Sequence, residues 1–204
     1  MTEAKIHLEF LLEGESDEIV LGALLPKIPA EITYAFHVFQ SKQNLLKKLP
    51  ERLRGYHSWL PPDWKIVILR DTDLEDCKKL KEHIRDIVAQ EDFSIFSNTN
   101  VTKKGIVIIR LAMQEMEAWF FGDAEALRQA YPRLPETLDK KKKYRHPDAI
   151  PTPWQELERI LQKAGYHPGG KNEVARKIAP FLEPSRNRSR SFQLFWQTLM
   201  NVCQ

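Results

Sequence analysis

Four consecutive apolar residues, Ile66 to Leu69, stand between Lys65 and Arg70. The run has strand length and does not alternate with polar residues, so both of its faces must be covered, as in the central strand of a parallel sheet. It is also far short of the ~18 to 20 apolar residues that a membrane span needs, and no other run is better, so insertion into a bilayer is excluded. On either side the same unit recurs. Ile6 to Leu12 reads as a strand, broken by Glu13 and Gly14 before Ile19, Val20, Ala23 and Leu24 return at helical spacing. Tyr34 to Phe39 is a second strand, followed by a helix over Asn44 to Leu53. After Pro61 and Pro62 comes the central strand, Trp64 to Leu69, and then a helix over Glu75 to Ala89 with Cys77, Leu80, Ile84, Ile87 and Val88 turned inward. Ile106 to Ile109 is a fourth strand, and Met113 to Phe121 is helical in spacing. Alternating strands and helices predict an α/β fold, a mainly parallel sheet flanked by helices.

From Asp123 onward no strand is expected. Helices are predicted over Ala124 to Tyr131, Trp154 to Ala164, Asn172 to Phe181 and Ser191 to Val202. The length suits one α/β core over residues 1–122 with an all-helical extension over 123–204 packed on it. With 42% hydrophobic and 29% charged residues, a disordered chain is excluded. Met1 to Lys5 includes Glu3 and lacks the basic and apolar regions of a secretory signal, so a cytoplasmic protein is expected. Cys77 and Cys203 lack paired CxxC spacing and read as ordinary thiols.

In open parallel sheets ligands gather at the carboxyl ends of the strands. Here those ends are acidic: Glu13, Glu15, Asp17 and Glu18 follow the first strand, and Asp71, Asp73, Glu75 and Asp76 follow the central one. Such a cluster repels itself unless a cation or a proton neutralises it. Carboxylate oxygen suits Mg²⁺ or Mn²⁺, and the six histidines are scattered without ligand spacing, against zinc. Taken singly, Asp17 or Asp73 would serve as a helix cap and Glu15 as a solvated side chain. Coincidence at two strand ends favours the metal. Glu115 and Glu117, two apart on a helix, point about 200° from one another, so only one can face the rim. Glu117 is the choice, beside the apolar stripe of Met113 and Phe121, with a pairing to Arg110 or a turn cap as the alternative.

The basic residues come late: Lys140 to Lys143 with Tyr144 and Arg145, then Lys171, Arg176 and Lys177, then Arg186, Arg188 and Arg190 among Asn187, Ser189 and Ser191. Lys142, Lys143, Arg186, Arg188, Ser189 and Arg190 are candidates for a phosphate backbone, which takes charge from cations and hydrogen bonds from hydroxyls. A solvated face or a docking patch for an acidic partner is the alternative. Lys171, after Gly169 and Gly170, is a candidate for stabilising the charge of a pentacovalent phosphate.

Glu13-Gly14-x-Ser16-Asp17 after a first strand and Asp71-x-Asp73 after a hydrophobic one resemble the Toprim fold of topoisomerases, bacterial primases and OLD-family nucleases. With Arg52-Leu53-Arg54-Gly55-Tyr56, Glu115-Met116-Glu117-Ala118-Trp119-Phe120-Phe121-Gly122-Asp123 and Arg186-Asn187-Arg188-Ser189, nearly the whole chain resembles a bacterial Toprim-like family related to the OLD nucleases. The resemblance implies a metal-dependent nuclease. Glu13 would shuttle a proton and help hold metal, Asp71 and Asp73 would bind metal, and Asp17 would stand where a second acid, more usually Glu, contributes. It also implies phage defence beside an ABC/OLD-type ATPase in an oligomeric complex, with DNA favoured over RNA as substrate. No GxxxxGK[ST] pattern occurs, so ATP hydrolysis would come from another chain. A non-catalytic module that docks on and regulates the ATPase is the rival expectation.

Overall fold

The computed structural model describes residues 6–61, 63–97 and 105–203; Met1 to Lys5 and Pro62, read above from sequence, lie outside the described residues. The run Ile66 to Leu69 lies where its composition requires. Strand β3 (Trp64–Asp71) pairs with β1 (Ile6–Leu12) on one side and β5 (Ile106–Ala112) on the other, and its four apolar residues are at most 2% exposed. With β2 (Ile32–Val38) and the two-residue β4 (Ser94–Ile95), the sheet has order β2-β1-β3-β5-β4 and every pairing is parallel. β1 thus sends the chain to β2 on one flank and to β3 on the other. This reversal is the switch point at which such sheets open a crevice.

Alternating side chains divide the core between the two faces. Leu11, Ile66, Ile68, Val107 and Ile109 pack under α2 (Lys42–His57) and α3 (Cys77–Gln90), which contribute Leu45, Leu49, Leu53, Leu80, Ile84 and Val88. On the other face Leu8, Phe10, Val67, Leu69 and Ile108 meet α1 (Glu15–Leu24). That cluster continues without a break into α4 (Glu117–Gly122), α5 (Ala124–Ala130), α6 (Pro153–Lys163), α7 (Lys171–Ile178) and α8 (Arg190–Val202). The extension therefore shares its hydrophobic interior with the sheet. Trp119 anchors the junction, with Phe192 and Phe195 each at 5.2 Å between ring centres and its indole N–H donating to Ser191 Oγ at 3.0 Å. Aromatic pairs of this kind contribute about 0.5–1.5 kcal/mol beyond area burial. No helix among the described residues is long and apolar enough to cross a membrane.

The helix expected from Met113 begins only at Glu117. β5 runs on to Ala112, and Gln114 then takes a left-handed φ of 61°, with its N–H given to Thr72 Oγ1 at 2.7 Å and its carbonyl accepting from Asp73 N–H at 2.7 Å. Apolar spacing cannot reveal that loop, since it is built by contacts between strand ends. The helix expected over Asn172 to Phe181 is α7 followed by a separate 3-10 turn, Ala179–Phe181, because Pro180 has no N–H with which to continue the ladder.

Candidate functional site

β1 runs into a turn at Glu13 that is closed by Asp17, whose Oδ2 accepts the backbone N–H groups of Glu13 at 3.1 Å and Gly14 at 2.9 Å. Asp17 is therefore both a capping residue and a buried acid, 6% exposed. At the end of β3, Asp71 Oδ1 accepts Met116 N–H at 2.9 Å and so ties the central strand to the loop after β5. The chain turns at Asp73, φ 48°, and its carboxylate meets Lys42 Nζ at 2.7 Å on the first residue of α2. Asp71 and Asp73 thus diverge at the rim: Asp71 faces the other acids and Asp73 faces a lysine.

From the opposite side, α4 contributes Glu117, 3% exposed, and α7 contributes Lys171. Lys171 Nζ lies 3.0 Å from Glu115 Oε1 and 3.3 Å from Glu117. Both glutamates reach the same ammonium, which corrects the expectation that only one of them faces the rim. The 200° argument assumed a helix, and residues 113–116 are the Gln114 loop. Glu115 Oε2 also accepts Trp154 N–H at 2.8 Å, and Asn172 donates to Glu15 at 2.7 Å, so α6 and α7 close over the acidic rim. Arg110, the alternative partner for Glu117, instead binds Thr198.

Self-repulsion dominates the electrostatics. Burial, together with Asp17, Glu117 and Glu13, holds Asp71 well above the usual carboxylate range. Burial, with the Glu13 and Glu117 charges, pushes Asp17 up to about 7 against the backbone N–H bonds that lower it. Glu13 is raised by burial and by Asp73, and Glu117 by burial and by Glu115 despite Lys171. Burial opposes the charge on Lys171, but Glu117 and Glu115 outweigh it and hold the ammonium above its ordinary range. A hard divalent cation fits this set chemically: the donors are all oxygen, and Glu13 Oε2 is buried without a hydrogen-bond partner. Glu13, Asp17, Asp71 and Glu117 are the residues that would hold it. Among the described residues no three His, Cys, Asp or Glu side chains are already gathered around a metal position, and Lys171 and Lys42 act as internal counter-ions.

The basic candidates divide by their partners. Arg186, although exposed, is committed to a buried acid: Nε and Nη2 donate to the two oxygens of Asp123 at 2.8 and 3.1 Å, and Nη2 also reaches Phe181 O. Ser189, fully buried, caps α8 through Phe192 N–H at 3.1 Å and donates to Asp148 at 2.6 Å, which removes it from any surface a nucleic acid can touch. Its Ser-x-x-Phe position before an apolar helix is an N-cap signature, and that role prevails. Lys143 is exposed and pairs with Glu156 at 2.6 Å; Lys142, Arg188 and Arg190 are exposed as well. The Arg52 to Tyr56 motif serves another buried acid on the α2 face: Glu9, 3% exposed, accepts from Tyr56 at 2.7 Å and is bonded by His7 and His37. Lys42 and Arg70 join the site without having been expected there, and Glu115, set aside in favour of Glu117, belongs to it too. Lys42 follows the carboxyl end of β2, where the strand-end rule applies, but a single lysine carries little signal there.

Sheet and site together define a parallel α/β protein whose switch point holds a lysine-braced acidic crevice. The chain belongs to the DUF4276 family, described as a domain of unknown function, whose family model matches residues 12–200. No curated protein and no solved structure matches it.

Proposed function

We propose that the protein is a Mg²⁺- or Mn²⁺-dependent nuclease that hydrolyses phosphodiesters in nucleic acid, DNA more than RNA. In this reading it is a cytoplasmic effector subunit, Toprim-like in its chemistry, of an antiphage system driven by an ABC/OLD-type ATPase in an oligomeric complex. One observation carries the reading: four carboxyl groups with raised proton affinity, Glu13, Asp17, Asp71 and Glu117, share the switch point with Lys171. The chemistry a bound divalent ion supplies is polarisation of the phosphate and a lowered pKa for the attacking water. Glu13, whose proton affinity burial and Asp73 raise, moves the proton. Lys171, held beside Glu115 and Glu117, donates to the charge that develops on the phosphoryl oxygens. Arg188, Arg190 and Lys142, all exposed, contact backbone phosphates.

A second reading, a non-catalytic module that docks on the ATPase, is favoured by the internal neutralisation of the crevice by Lys171 and Lys42. Cleavage of DNA and of RNA by the complete ATPase complex with Mn²⁺ decides between them. Glu13→Gln is expected to fold, to associate with the ATPase and to lose at least ~100-fold in cleavage. A complex that cleaves neither polymer, or a variant as fast as wild type, leaves the docking module as the function.

A further inference from the structure

Six buried side-chain atoms among the described residues have no hydrogen-bond partner, and four of them lie at the carboxyl rim of adjacent strands: Glu13 Oε2, Arg70 Nε and Nη1, and Gln114 Oε1. Buried polar groups are almost always satisfied, so orphans concentrated in one place mark a gap whose partner is supplied from outside the chain. Arg70 is the sharpest case. It is 2% exposed, and of its guanidinium nitrogens Nη2 alone is bonded, to Glu75 Oε1 at 2.6 Å. Strand register explains where it points. β1 and β3 run parallel with Leu11 opposite Ile68 and Leu12 opposite Leu69, so Arg70 lies level with Glu13, the first residue past β1, and its charge acts on that carboxylate. Alternation along β3 turns Arg70 toward the face of Ile68, under α2. Lys42, on the first turn of α2, adds a second cation at that rim through Asp73.

A buried guanidinium with unfilled donors requires an anionic acceptor that offers oxygens in more than one direction, and Glu75 occupies one nitrogen only. A tetrahedral phosphoryl group meets that requirement. Glu13, with its own unfilled oxygen and within the reach of the Arg70 charge, would stand beside the phosphoryl group that Arg70 holds. We propose that Arg70, with Lys42 beside it, forms a phosphoryl-binding site next to Glu13 and receives the phosphate of a nucleotide unit. The proposal rests on the nuclease reading for its substrate, while the anion site itself rests on the unfilled donors.

Calorimetric titration of inorganic phosphate and of a nucleoside 5′-monophosphate, each with and without Mg²⁺, tests it on the full chain. Wild type is expected to bind both probes, and Arg70→Met to bind them at least ~10-fold more weakly, the usual scale of a lost charge-assisted hydrogen bond. Arg70→Met should melt no lower than wild type without phosphate, since it removes orphan donors along with the charge. Glu75→Gln, at a half-exposed position, removes the competing carboxylate and should tighten phosphate binding, so the site can be tested even where Arg70→Met fails to fold. Failure of wild type to bind phosphate, or equal affinity in wild type and both variants, overturns the proposal. Arg70-dependent phosphate binding without nucleic-acid cleavage sinks the nuclease reading and keeps the anion site; cleavage with Arg70-independent binding does the reverse.

Discussion

Gly122→Ala measures how tightly the C-terminal helices are locked to the sheet. A methyl group at this position would lie 2.0 Å from Asn187 Oδ1, 2.9 Å from its Cγ and 3.0 Å from the backbone nitrogen of Ser189. Asn187, 1% exposed, cannot stay. It donates to Trp119 O at 2.9 Å and accepts Ser189 N–H at 2.9 Å, while Arg188 N–H donates to Gly122 O at 3.0 Å. Displacing the amide leaves a buried carbonyl and a buried N–H unpaired, at about 1–3 kcal/mol each, so the expected loss is roughly 2–6 kcal/mol. Against a total stability of about 5–15 kcal/mol that is a large fraction. Urea unfolding with intrinsic fluorescence reads it. The control is a cycle with Asn187→Ala. Once the amide is gone the two worst clashes are relieved and only the 3.0 Å approach to Ser189 N remains, so the double variant should cost little beyond Asn187→Ala alone, with a coupling of at least ~2 kcal/mol. A Gly122→Ala cost below about 1 kcal/mol, or additive effects, would refute the argument.

The raised carboxyl groups predict a pH dependence. Asp17, near 7 when folded and 3.8 ordinarily, and Asp71, Glu13 and Glu117, also raised, bind more protons in the native state than in the unfolded chain. Their contribution to stability is therefore fully present below the ordinary values of 3.8 to 4.5 and is lost as pH rises from there, through about 7 for Asp17. The metal-free protein should melt higher at pH 5 than at pH 8, and the opposite order would refute the assignment; Glu9 and Glu156, which are lowered from 4.5, act in the other direction only below that window. Manganese should bind wild type by calorimetry and fail to bind Asp71→Asn combined with Glu117→Gln, and equal affinities would move the site elsewhere. Arg188→Ala with Arg190→Ala should leave stability within about 0.5 kcal/mol and lower the salt slope of DNA binding by about one per lost contact. Arg186→Ala should instead cost about 1–3 kcal/mol, because it takes a charge-assisted pair from buried Asp123 and leaves it only the Ala126 and Glu183 N–H groups, and a fully stable Arg186→Ala would contradict that pairing.

Much of the fold is legible because its strands are covered on both faces and its helices on one. Ile66 to Leu69 announces the centre of the sheet, and β1 and α3 fall within two residues of their expected bounds. β4 was invisible, since two residues have no period. The acidic rim was readable from the strand-end rule, which places Glu13 and Asp71 without any coordinates. What stayed hidden depends on register and loop shape: the Gln114 turn that brings Glu115 and Glu117 to one lysine, the pairing of β1 with β3 that sets Arg70 beside Glu13, and the outward swing of Asp73 to Lys42. Within the Arg186 to Ser189 segment, residue types that suit phosphate also suit caps and ion pairs: Arg186 pairs with Asp123 and Ser189 caps α8, whereas Arg188 is exposed, and only the contacts separate these uses.

Lys171 reaches glutamates more than 50 positions earlier, Asn172 bonds Glu15 across 157 positions, and Lys27 caps Leu182 O across 155. During synthesis the chain therefore emerges with one sheet face covered by α1 alone, and with its acidic rim lacking the Lys171 ammonium, until α7 has left the ribosome. Long-range closure of this kind slows folding and leaves apolar surface open to other chains in the meantime. Nascent chains arrested before residue 171 should accordingly be strong chaperone clients, whereas chains released past α8 should not.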